Sequence, residues 1–163
     1  MSEASPGPTP GFLVWRLSMK WRVAVDRALA PHGLTHAQYS LLGSLLGMQQ
    51  SGRQPTQREL ADHAGLEPLY VSKLARALES AGLVTRTPHP TDTRAVRLSL
   101  SDHGRETTEC AVTVVHDLLA QQFAPLGGLD SPRTSAFVRE LTALLDAPLD
   151  ATTSTSSTTK EFQ

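Results

Sequence analysis

A mostly α-helical chain with one small β-hairpin is what this sequence predicts, and three features of residues 55–105 predict it. Two short amphipathic stretches meet at Gly65. Two runs of strand character follow, joined by PHPTDT. A new helical pattern starts at Ser101. A helix pair backed by a basic hairpin is the arrangement of a winged helix-turn-helix, a unit that places one helix in a DNA groove.

The elements follow in order. Residues 1–11 are Pro-rich without apolar periodicity and predict a mobile arm. Val14, Leu17, Trp21, Ala24 and Ala28 step by three or four, predicting a helix from Phe12 to Ala30 that Pro31 and Gly33 end. Thr35 is a good N-cap for the next helix, whose leucines cover more than one face and predict deep burial. Thr56 and Glu59 have capping-box spacing. Gly65 suits a left-handed C-cap, and Pro68 suits a first helical turn. The helix from Glu67 to Ala81 turns Val71, Leu74 and Leu78 inward. Leu83–Thr87 and Ala95–Leu100 are the strands, the second alternating Val96, Leu98 and Leu100 with Arg97 and Ser99. Ser101 caps a long helix ending near Phe123. A last helix carries Phe137, Val138, Leu141, Leu144 and Leu145, and residues 148–163 form a Ser/Thr-rich tail expected to be disordered.

Composition limits the function classes. The 163 residues carry 15 basic and 16 acidic side chains, so bulk charge does not point to nucleic acid. The distribution does. Between Tyr70 and Arg97 five cations face two carboxylates, a local net of +3, as suits a protein touching phosphates with one surface. Cys110 is the single cysteine and is expected to be a buried structural thiol. No signal peptide or run of roughly 18 apolar residues is visible, so a cytoplasmic protein without a membrane partner is expected. His32 and His36 are four apart, but Pro31 and Gly33 break the helix around His32, so helical ligand spacing is lost and no metal site or cofactor is expected. GxSxG, GxxxxGK and HExxH are absent, so the expectation is not an enzyme.

The expected DNA-binding residues lie on the helix pair and hairpin. Thr56 and Gln57 begin the first helix of the pair. Leu69, Ser72, Lys73 and Arg76 share the outer face of the second by helical spacing. Lys73 and Arg76 suit guanine or phosphate, Ser72 and the helix N-terminus suit phosphate, and Leu69 and Tyr70 suit a thymine methyl. Arg94 at the hairpin tip suits a narrow minor groove, with Asp92 expected to orient its guanidinium. Arg86 and Arg97 are expected along the strands near the DNA backbone. The competing expectation is a winged-helix dimerisation or protein-interaction module without DNA binding, motivated by Glu67, Leu69 and the balanced charge.

These residues resemble the MarR family of transcription regulators. LTHAQYSLL, TQRELADHAGLEPLYVSKLARALESAGLVTR, the D-x-R-A at Asp92, Thr93, Arg94 and Ala95, and LSLSDHGR carry the likeness, which covers about residues 12–147. The resemblance implies a homodimer, with residues 12–33 and 101–147 as a helical dimerisation region and 34–100 as the DNA-binding lobe. It implies a repressor on a pseudo-palindromic operator, with half-sites roughly 34–36 Å apart. It also implies release by a small ligand bound between the dimerisation region and the lobe. Trp15, Arg16, Met19, His36 and Tyr39 are the expected lining for an aromatic or anionic effector.

Overall fold

The computed structural model describes residues 7–148. Its elements are α1 (Pro10–Leu29), α2 (His36–Gln50), α3 (Gln57–Ala64), α4 (Pro68–Ser80), β1 (Val84–Pro88), β2 (Val96–Leu100), α5 (Asp102–Phe123) and α6 (Pro132–Asp146). The chain divides into two compact units, one running to Leu119 and one from Ala120 onward.

Local chemistry starts each helix of the first unit. The Thr9 hydroxyl accepts the Phe12 N–H, so α1 begins at Pro10, inside the stretch expected to be an arm. Residues 1–6 of that arm, and residues 149–163 of the expected tail, lie outside the described residues. Thr35 closes a capping box with Gln38, and Thr56 closes one with Glu59. Gly65 stops α3 at φ 62°, in the left-handed region where a Cβ is costly.

The core gathers side chains of every helix of this unit. Leu41, Leu42 and Leu45 of α2, Leu60 of α3, Val71 and Leu78 of α4, and Leu98 of β2 are buried together. Truncating any of these leucines to Ala typically costs about 2–5 kcal/mol. From α1 the buried residues are Val25 and Leu29, while Val14 and Leu17 of the expected apolar stripe are exposed. α5 contributes Ala111 and Val115. Cys110, one position from Ala111, is exposed, which corrects the expectation of a buried thiol: the core covers only one side of α5.

The strands pair antiparallel, with Val84 opposite Leu100 and Pro88 opposite Val96. The hairpin is fastened to the helices by backbone groups. Leu98 N–H donates to the Pro55 carbonyl at 3.0 Å, just before α3. Leu100 N–H donates to Gln49 Oε1 at 3.2 Å. At the start of α5, Ser101 Oγ accepts the Gly104 N–H at 2.9 Å and donates to the Gly82 carbonyl at 2.6 Å.

The second unit holds the end of α5, a 3₁₀ turn over Ala124–Leu126, and α6. Ser131 caps α6 by accepting the Thr134 N–H, and the buried Thr134 hydroxyl donates to the Gly128 carbonyl at 2.7 Å. The Phe123 and Phe137 rings stand 6.1 Å apart. Val138, Leu144 and Leu145 are exposed.

Candidate nucleic-acid interface

α4 is amphipathic at helical spacing. Val71, Leu74, Ala75 and Leu78 are buried, whereas Leu69, Lys73 and Arg76 are exposed and Ser72 is half-buried. Leu69, Ser72, Lys73 and Arg76 therefore form one outward face, as the spacing predicts. Tyr70 is exposed on the neighbouring side.

The N-terminus of α4 differs from expectation. Glu67 is the N-cap, and its carboxylate accepts the Leu69 N–H at 3.0 Å. A negative side chain already occupies the place where a phosphate would approach the helix dipole. A phosphate is disfavoured at this terminus, and the Glu67 charge is used within the chain.

The loop between the strands is held by side chains acting on backbone. His89 Nδ1 accepts the N–H groups of Thr91 and Asp92 at 3.3 and 3.2 Å. Asp92 Oδ1 accepts the Arg94 backbone N–H at 3.0 Å. The expected bond from Asp92 to the Arg94 guanidinium is absent among the described residues, and Asp92 instead makes an Asx turn. Arg94 is exposed at the tip.

Arg86 and Arg97 lie on the two strands and have partners within the chain. The Arg86 guanidinium pairs with Glu79 of α4 at 3.2 Å. Arg97 Nη1 donates to Gln54 Oε1 at 3.4 Å, and its Nη2 lies 3.3 Å from His89 Nε2. Both arginines are half-buried and brace the hairpin from within. The pairing of Arg86 across α4 and β1 is tertiary and leaves no spacing signal.

Thr56, Gln57, Arg58 and Arg94 line a notch of about 290 Å³ between the start of α3 and the hairpin. The Thr56 hydroxyl is occupied by the capping box. Its backbone N–H donates to Glu59 at 2.7 Å, and this bond holds the Glu59 carboxyl below its usual range. Gln57 Oε1 is buried without a hydrogen-bond partner. Arg58 joins the notch without a motif of its own, and in the sequence only its place beside Gln57 points to it.

The residues expected to line one effector cavity are divided. Trp15, Arg16 and Met19 border an open groove along α1 together with Lys20 and Arg27. His36 borders a different cavity of about 660 Å³, lined also by Arg22, Asp26, Ser40, Leu66 and Tyr70. Tyr39 packs half-buried against the core, and burial pushes its hydroxyl pKa up. Helical spacing grouped large side chains without showing which face of α1 the rest of the chain covers. In the second cavity the His36 backbone N–H donates to Asp26 Oδ1 at 2.7 Å. Burial lowers the His36 imidazole pKa, Asp26 opposes the shift, and Arg22 adds to it.

Comparison with known proteins places this geometry. The MarR family profile matches residues 32–95. An HTH-type transcriptional regulator of Bacillus subtilis is 36% identical over 121 residues, 74% of this chain and 82% of that protein. Among solved structures, the MepR–DNA complex of S. aureus has a TM-score of 0.74 and 28% identity, covering 85% of this chain and 96% of that one. CouR from Rhodococcus jostii RHA1 bound to p-coumaroyl-CoA has a TM-score of 0.69 and 26% identity, covering 88% of this chain and 93% of that one.

Proposed function

The chain belongs to the MarR family of transcription regulators, and we propose that it is a homodimeric, sequence-specific DNA-binding repressor released by a small effector. The observation that carries this reading is the exposed face of α4, with Lys73 and Arg76, next to a hairpin that presents Arg94. An α-helix fits the major groove, and an arginine on a narrow tip suits the minor groove. Arg58 and Arg94, on either side of the notch, suit the intervening phosphate backbone. The likeness to a regulator solved on DNA supports the same use of the lobe.

Dimerisation is supported by apolar side chains that the chain leaves exposed. Phe12, Leu13, Val14 and Trp15 are exposed on α1, and Val138, Leu144 and Leu145 on α6. Exposed apolar side chains of this size, on each of the two helices, suit an interaction surface, and a second copy of the chain would cover them.

The effector enters the cavity beside His36, because that cavity reaches Tyr70 on α4. A ligand there touches the groove-reading helix and so shifts its position or population. Arg22 suits an anionic group and the neutral His36 imidazole suits a hydrogen bond, beside an apolar body.

Fluorescence anisotropy with duplex from the chain's own upstream region, repeated across a salt series, tests the reading. Specific binding is expected, with log K falling as log salt rises by about 0.9 for each phosphate contacted. Arg76→Ala and Arg94→Ala should each cost about 1–3 kcal/mol if they touch bases. Absence of duplex binding at low salt, or a monomer in sedimentation, ends the proposal.

A further inference from the structure

Leu69 is 81% exposed at the first turn of α4, far beyond the 44% of its neighbour Tyr70. A leucine so placed contributes nothing to the core, and its helix is already anchored by Val71, Leu74 and Leu78. Its backbone is held firmly. Pro68 fixes φ at the first helical position, and the Glu67 carboxylate takes the Leu69 N–H at 3.0 Å. That same bond fills the helix N-terminus with a protein carboxylate, so a DNA phosphate is disfavoured there. The fingertip of α4 thus offers an apolar group rather than a free donor to the DNA backbone. The nearest side chains on its face, Ser72, Lys73 and Arg76, are a hydroxyl and two cations, which suits DNA better than an apolar protein partner.

We propose that Leu69 is a specificity-determining residue that reads a thymine by packing on its C5-methyl group, presented rigidly by the Glu67 cap and Pro68. The major-groove edge of A·T is the only one that carries a methyl, so an aliphatic side chain there discriminates thymine without hydrogen bonds. This rests on the reading of α4 as the groove helix. It adds the base that the fingertip selects.

The test replaces thymine by deoxyuridine, which pairs identically and lacks only the methyl. Duplexes that bind the full-length protein are first selected from a random pool. Each thymine of the selected half-site is then changed singly to deoxyuridine, and binding is measured for wild type, Leu69→Ala and Leu69→Met. One position per half-site should weaken wild-type binding about three- to fivefold, as expected for losing the burial of one methyl. Leu69→Met should keep that sensitivity, and Leu69→Ala should bind the two duplexes alike. Sequence-specific binding with no deoxyuridine-sensitive position overturns this inference alone, as does sensitivity that persists undiminished in Leu69→Ala. Absence of any duplex binding overturns it together with the proposed function.

Discussion

Glu79 Oε2 lies 3.2 Å from Arg86 Nη1, which ties the C-terminal half of α4 to the first strand of the hairpin. The ion pair links the two surfaces proposed to meet DNA. Both side chains are partly exposed, so solvent screening limits the pair itself to about 0.5–1 kcal/mol. Arg86 Nε is nevertheless buried without a partner, so the guanidinium depends on Glu79 for its compensation. Glu79→Ala is expected to destabilise by ~1 kcal/mol, and Glu79→Ala combined with Arg86→Met by less than the sum of the two single changes. Denaturant unfolding of the four proteins measures this coupling, and strict additivity would contradict it.

Gly104 has a different constraint. A Cβ built there would stand 1.8 Å from the Leu83 carbonyl oxygen, a backbone atom that cannot swing aside. The Leu83 carbonyl also accepts the Ser101 N–H at 3.1 Å, so moving it breaks the junction between the hairpin and α5. Gly104→Ala is expected to cost about 3 kcal/mol or more, beyond ordinary overpacking, although Ala is the better helix former. A thermal midpoint within a degree or two of wild type would refute the close approach.

Asp92 and Arg94 separate two roles that sequence spacing confuses. If Asp92 acts through the Arg94 backbone N–H, Asp92→Asn should keep the turn, since an Asn carboxamide oxygen accepts the same bond. Asp92→Ala should loosen the tip and weaken operator binding severalfold. If Asp92 acted by charge on the guanidinium, Asn and Ala would be equally harmful. Arg94→Ala should additionally lower the salt dependence by about one phosphate contact. Anisotropy titrations at several salt concentrations distinguish these outcomes.

The legible parts of this chain were those written in local chemistry. The Thr56–Glu59 box, Gly65 and Pro68 define backbone states within a few residues, and the inward face of α4 follows from period alone. What escaped was tertiary or ambiguous. Glu79 and Arg86 are seven positions apart across a turn, so neither periodicity nor motif couples them. A carboxylate two residues before an arginine fits a guanidinium bond and an Asx turn equally well. Trp15 and Met19 belong to a stripe, and a stripe does not reveal whether the covering surface lies within the same chain. Cys110 stands in an apolar run, but only one side of α5 meets the core.

His36 gives the fold a pH dependence whose sign follows from its surroundings. Burial lowers its pKa in the native state, with the Asp26 carboxylate opposing and the Arg22 guanidinium assisting. In the unfolded chain the imidazole returns to about 6.5. Between the lowered native value and about 6.5, the unfolded chain therefore binds more protons, and stability rises with pH. The contribution of neutral His36 is complete above about 6.5 and is lost as pH falls through the native value. His36→Gln keeps a neutral polar side chain and the backbone N–H that donates to Asp26, while removing the titration. The thermal midpoint of wild type should fall more between about pH 7.5 and pH 5.5 than that of His36→Gln, the other histidines being common to both. Parallel pH profiles for the two proteins would mean that the imidazole is as well solvated in the fold as out of it.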